Sequence, residues 1–210
     1  MAALAKSWRP AIGDKLAYMG TAPQPILTQF HQFAVECEIV GRLLTGYANL
    51  EVGLLHCVHM VLRDLDTPLK AMFKVRGESR RIKEAAKLGQ APYNALGLGN
   101  DFQRAIAAMR YCLLIRNQYS HWVWWNDYSG KMAFANLEDV ARRKSRVNDL
   151  RKLKPHHVDA TLLSSQEAYF AYTDQCLAWV NYEGRYRAGT LAPNPLTKPK
   201  RLKKPDLRLP

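Results

Sequence analysis

Long apolar runs, paired cysteines, glycine-rich phosphate loops and acidic residues are all scarce in this chain, and each scarcity closes off a class of protein. No apolar stretch approaches the roughly 20 residues that a bilayer span requires. The opening "MAALAKSWRPAIGDKLAYMG" is broken by Lys6, Arg9, Pro10 and Asp14, which is unlike a secretory signal. The expectation is therefore no membrane association and a cytoplasmic location. Four cysteines, Cys37, Cys57, Cys112 and Cys176, lie far apart with no CxxC pair. In apolar helical surroundings such thiols act as small hydrophobes, which suits a reducing compartment. No internal repeat is visible, and no cofactor is expected.

Acidic residues number 18 against 31 lysines and arginines, giving a formal charge of +13. A surface of that sign attracts polyanions by steering and counterion release, so nucleic acid is the leading partner class. Part of the excess is concentrated in "PNPLTKPKRLKKPDLRLP", where Lys198, Lys200, Arg201, Lys203, Lys204 and Arg208 face only Asp206. The rest of the chain is basic as well.

At 210 residues the length suits one ordinary domain with some length to spare. Residues 1–25 hold Pro10, Gly13, Gly20, Pro23 and Pro25 without sustained periodicity, and read as a loosely ordered arm. Residues 26–190 carry helical spacing. Phe30, Phe33, Cys37, Val40, Leu43, Leu44, Tyr47, Leu50, Leu54, Cys57, Val58 and Val61 fit one very long helix, or two joined near Gly41 to Gly46.

A short helix should follow, capped by Asp66 or Thr67 with Pro68 in its first turn. A more charged helix from Glu78 should stop at Gly89, leaving "APYNALGLGN" as a loop. Asn100 or Asp101 can cap the next helix, whose stripe is Phe102, Ile106, Met109 and Leu113. Aromatics on either side of "NDYSG" then suggest a short hairpin. Arg142, Arg143, Lys144 and Arg146 begin a basic block, in a segment that reads as only partly helical. A final helix runs to about Gly189. Residues 191–210, rich in proline and lysine, bury too little to fold and read as a disordered tail.

The stretch that demands an explanation is "RNQYSHWVWW", Arg116 to Trp125, at the end of an apolar helix. Core helices usually close on Gly or a lysine-rich turn, which satisfy or complement the free carbonyls. This one closes on Arg116, Asn117 and His121. In metal-independent RNA cleavage a 2′-hydroxyl attacks the neighbouring phosphodiester, which needs a proton acceptor, a proton donor and positive charge on the phosphoryl oxygens. Histidine titrates near neutrality and arginine grips phosphate with a planar fork.

A helical chain with Arg116, Asn117 and, after a spacer of four, His121 resembles the HEPN superfamily. Its mark is Arg, four to six residues, then His, often with a polar residue after the Arg. The resemblance implies an all-α, up-and-down bundle and an endoribonuclease that leaves a 2′,3′-cyclic phosphate and a 5′-hydroxyl. In that reading Arg116 stabilises phosphoryl charge, His121 acts as acid or base, and Asn117 orients one of them. It also implies a homodimer with a composite site and a role as a toxin or antiphage effector, with room for an inhibitory or activating protein partner. On an ideal helix Arg116 and His121 lie about 140° apart, so either the helix loosens before His121 or a second copy completes the pocket. One departure is Val123, which stands where HEPN toxins regulated by a nucleotidyltransferase carry a modified tyrosine.

Secondary candidates are Glu51, an acid in an apolar stretch that could hold Arg116 or the imidazole, with Tyr119 and Trp122 close to the motif. Arg142, Arg143, Lys144 and Arg146 are candidate RNA contacts that would position a strand without choosing its sequence. Among Trp122, Trp124 and Trp125, at least two are expected in a core or interface rather than stacked on bases. His56 and His59 share a helix face, but no further ligand recurs at matching spacing, so no metal site is expected; "PHHVD", Pro155 to Asp159, is read the same way. The plainer alternative for the whole chain is a non-catalytic helical module that binds a nucleotide, RNA or a protein.

Overall fold

The computed structural model describes residues 29–136, 141–142 and 155–209. The elements run α1 (Gln29–Gln32), α2 (Ala34–Leu62), α3 (Asp66–Phe73), α4 (Glu78–Ala95), α5 (Gly99–Ser120), β1 (Trp122–Asn126), β2 (Met132–Asn136), β3 (His156–Val158) and α6 (Ala160–Arg187). The protein is thus mostly helical, as expected. The hairpin after the motif helix is present, but it is extended by β3 into a three-stranded antiparallel sheet in the order β1-β2-β3. The expected N-terminal arm lies outside the described residues, as do Arg143, Lys144 and Arg146 of the basic block.

Helix α2 is one uninterrupted helix, because both candidate break points, Gly41 and Gly46, sit in open space and carry no packing or left-handed demand. Its face of Leu43, Tyr47, Leu50, Leu54, Cys57 and Val58 is buried. It packs chiefly against α6, α5 packs between α4 and α6, and one continuous core results. Burial pushes the Cys57 thiol up to about 12, as befits a cysteine used for packing. Among the described residues no helix is long and apolar enough to cross a membrane.

Helix α4 corrects the sequence reading. It passes Gly89 and ends at Ala95, even with Pro92 inside. Gly89 is there for close approach, since a Cβ at that place would stand 2.6 Å from a ring atom of Phe102 on α5. The true stop is Gly97, at φ +69°, where Leu98 N donates to Tyr93 O at 2.8 Å and Gly97 N to Asn94 O at 3.0 Å. That pair of bonds is the Schellman closure of a helix end. The expected ten-residue loop shrinks to a three-residue turn, which clamps α4 tightly against α5.

Two caps also differ. Asp64, ahead of the expected residues, accepts from Asp66 N and Thr67 N at the start of α3. Helix α5 starts at Gly99 without a side-chain cap, and Asp101 is instead engaged by Arg104 and Lys198.

The C-terminal residues, expected to be disordered, instead form a strap along the bundle. Tyr111 donates to Pro205 O, Gln166 to Asp206 O at 2.8 Å, Gln118 to Leu207 O, and Leu209 N to His157 O at 2.9 Å. Leu207 and Leu209 pack against the core.

Candidate active site at the end of α5

Arg116 lies one turn before the end of α5 and is half-buried. Its Nη1 donates to Asn117 Oδ1 at 3.1 Å and stands 3.4 Å from Glu78 Oε1 at the start of α4. The guanidinium carbon is 6.0 Å from the ring centroid of Tyr47 on α2. Three helices therefore meet at this side chain, at the end of the α4–α5 pair opposite its connecting turn.

Glu51 is inward and buried, at 8% exposure. The expected partner is wrong, however: Glu51 accepts from Arg81 Nη1 through both carboxylate oxygens, at 3.2 and 3.0 Å. Arg81 lies one turn after Glu78 on α4, so one helix supplies both an anion for Arg116 and a cation for Glu51. The Arg81 guanidinium also covers the Phe73 ring at 5.2 Å. Beneath these pairs, the Tyr47 hydroxyl is buried without a hydrogen-bond partner among the described residues. Burial, then the nearby Glu51 and Glu78 charges, push its pKa well up, while Arg116 opposes them. Tyr47 is a polar group that sequence reading placed only in the apolar stripe, and the signal for it was its α-helical spacing, at i, i+4, from Glu51.

His121 is released from the helix. Helix α5 stops at Ser120, and His121, at φ −127° and ψ 21°, is an exposed residue leading into β1. The helical angle between Arg116 and His121 therefore no longer applies, and the loosening anticipated before His121 takes the form of a helix end. No hydrogen bond or ion pair joins the two side chains among the described residues.

The other candidates divide clearly. Tyr119 belongs to the core: it is buried, donates to Gln166 on α6 and stacks on Trp124 with ring centroids 5.6 Å apart. Desolvation pushes its pKa well up. Trp122 packs on Phe134 of β2 at 4.2 Å, and Trp124 packs on the same ring at 5.0 Å, so two of the three indoles hold the sheet against the helices. The indole N–H of Trp122 is buried without a partner among the described residues. Arg142 is exposed. His56 and His59 have ring centroids 6.5 Å apart, and among the described residues no group of three or more His, Cys, Asp or Glu side chains is placed to hold a metal ion.

The "PHHVD" stretch does more than its plain reading suggested. His157 Nε2 lies 2.8 Å from Asp127 Oδ2, which ties β3 to the hairpin tip. Burial raises the Asp127 pKa, but hydrogen bonds from Ser129 and His157 outweigh it and bring the carboxyl down to about 2. His156 accepts from Arg208 of the strap at 2.7 Å and lies 6.1 Å, ring to ring, from Trp122. Asp159 caps α6 by accepting from Leu162 N at 2.8 Å.

The end of α5 thus presents a guanidinium fixed by an amide and a carboxylate, followed at the helix terminus by an exposed imidazole. Such a set can hold a phosphate oxygen and exchange a proton. Compared with family models, with curated proteins and with solved structures, the chain matches none of them.

Proposed function

We propose that this chain is a metal-independent endoribonuclease of the HEPN type, cleaving RNA by attack of a 2′-hydroxyl on the adjacent phosphodiester. The observation that carries the reading is the arrangement of Arg116 and Asn117 in the last turn of α5 with His121 exposed just beyond it. Arg116 neutralises the phosphoryl oxygens as charge builds on them, and His121 donates or accepts the proton. Asn117, bonded to Arg116, orients the fork. The formal charge of +13 favours a polyanionic substrate.

The site is composite in this reading. Leu114, 54% exposed, and Val123, 46% exposed, bracket the motif in sequence and offer apolar surface for a second copy. That the second copy's Arg116 and His121 share the pocket is what the resemblance implies. A toxin or antiphage-defence role in the cytoplasm, with a protein partner that restrains or triggers it, follows from the same resemblance.

A second reading, a non-catalytic RNA-binding module, is favoured by one contact: Arg116 already faces the Glu78 carboxylate. Incubation of the purified chain with labelled RNA in EDTA separates the two. Cutting that persists in chelator and is lost in Arg116→Ala and in His121→Ala supports the nuclease; retention of RNA without cutting by the unmodified chain supports the module.

A further inference from the structure

The strap runs parallel to α5. Lys198 pairs with Asp101, the Lys204 ammonium lies 4.9 Å from the Tyr111 ring centroid, Leu207 O accepts from Gln118, and Arg208 reaches His156 beside Trp122. Both sequences ascend together along this seam. From Asp101 to Gln118 a helix advances about 26 Å. The nine steps from Lys198 to Leu207 cover about 28 Å at the 3.1 Å per residue of a proline-rich extended chain. The two lengths match, so the strap can lie extended along the helix.

Between strap and bundle lies a cleft of about 880 Å³. Arg104 lines it from α5, and Arg201, Lys203 and Lys204 line it from the strap, with the amides of Asn100 and Gln103 at its rim. Among the described residues no carboxylate lines it. Arg201 and Lys203 make no ion pair among the described residues, and both are exposed. Arg104 shares Asp101 with Lys198, at 3.5 Å, and remains 40% exposed.

Attachment uses main-chain groups together with the side chains of Lys198 and Arg208, and Lys204 lies against Tyr111. Main-chain groups of Pro205, Asp206, Leu207 and Leu209 accept or donate the bonds that fasten the strap's end, and none of these bonds uses the cationic side chains of Arg201 and Lys203. Concentrating unpaired cations over a cleft without carboxylates raises the local concentration of anions. Nothing in the packing of the bundle requires that concentration.

We propose that the strap and α5 form a cationic rail that holds the phosphodiester backbone of single-stranded RNA and leads it toward the His121 end of the helix. The seam starts near Asp101 and finishes at His156 and Trp122, the residue after His121, so a strand laid along it runs toward the His121 end of α5. The rail contacts phosphates and so sets position rather than sequence. It rests on the reading of the chain as a protein that acts on RNA, but its own evidence is the cleft and the strap, not the motif.

The test measures binding, so it does not depend on cutting. In the full chain carrying His121→Ala, which leaves the RNA intact, the affinity for a labelled single-stranded RNA is followed by anisotropy across a salt series. Adding Arg201→Gln, Lys203→Gln and Lys204→Gln should raise Kd and flatten the slope of log K against log salt by about 2, at about 0.7 per phosphate contact. Arg104→Gln alone should flatten it by about 0.7 and guards against misfolding of the triple variant. An unchanged slope in both overturns the rail. So does displacement of the RNA by ATP at the concentration where RNA itself saturates the protein, which would make the cleft a mononucleotide pocket. Binding through the rail without cutting by the unmodified chain would defeat the nuclease reading alone; cutting with an unaltered salt slope in the variants would defeat the rail alone.

Discussion

The two ends of α5 handle positive charge in opposite ways. At the C-terminal end Arg116 faces Glu78, and next to it Arg81 is held by both oxygens of the buried Glu51. Along the N-terminal half, Arg201 and Lys203 stand over a cleft that no carboxylate lines among the described residues. Paired charges at the first end fix side chains in place, while at the second Arg104 and Lys198 share Asp101 and Arg201 and Lys203 make no ion pair among the described residues. Net charge alone would have spread the cationic character evenly over both.

The sharpest way to break this contrast is to remove the buried anion. Glu51→Ala leaves the Arg81 guanidinium without its carboxylate, and the Arg81 Nε is already buried without a partner among the described residues. A loss of about 3 kcal/mol is expected in urea unfolding, the low end for a broken buried pair because Arg81 is 27% exposed. Glu78→Gln, at a pair more open to water, should cost at most about 1 kcal/mol. Equal losses would show that the two pairs are not distinct.

Gly89→Ala acts on the frame that holds Glu78 and Arg81 against α5. The added methyl meets the Phe102 ring, so helix α4 or the ring must shift, at about 1–3 kcal/mol. The same measurement checks it: a stability unchanged within error would mean that the ring yields freely.

The smallest effect belongs to the hairpin. The Asp127 carboxyl is lowered to about 2 in the fold, against about 3.9 in an unfolded chain. A depressed carboxyl contributes stability that is complete above the unfolded value and is lost as pH falls through the folded one. Between pH 4 and pH 2 the melting temperature of the unmodified chain should therefore fall further than that of Asp127→Asn. Parallel curves would remove the Asp127–His157 contact from the account.

Much of this frame was legible in the sequence. The apolar stripe of α5 and the turn residues before the second strand follow from periodicity and turn chemistry, whereas the apolar stretch around Glu51 left its side chain readable as inward or exposed. Other features were hidden for definite reasons. Gly89 reads as a stop signal because a missing Cβ serves a left-handed turn and a close helix contact equally well, and only the Phe102 ring shows which. The strap looked disordered because composition measures what side chains can bury, whereas this segment buries only Leu207 and Leu209 partly and is held as well by its backbone through Tyr111, Gln118 and Gln166. Glu51 was inward, but its partner depended on how far α4 extends, and that in turn depended on Gly89.

The central claim is that Arg116 and His121 act on one phosphodiester of RNA. Its most direct measurement is the end chemistry of labelled RNA incubated with the full chain in EDTA. A 2′,3′-cyclic phosphate and a 5′-hydroxyl, formed by the unmodified chain and reduced at least about 100-fold in His121→Ala and in Arg116→Ala, is the expected result. RNA left intact by the unmodified chain, or cut equally well by both variants, would contradict it.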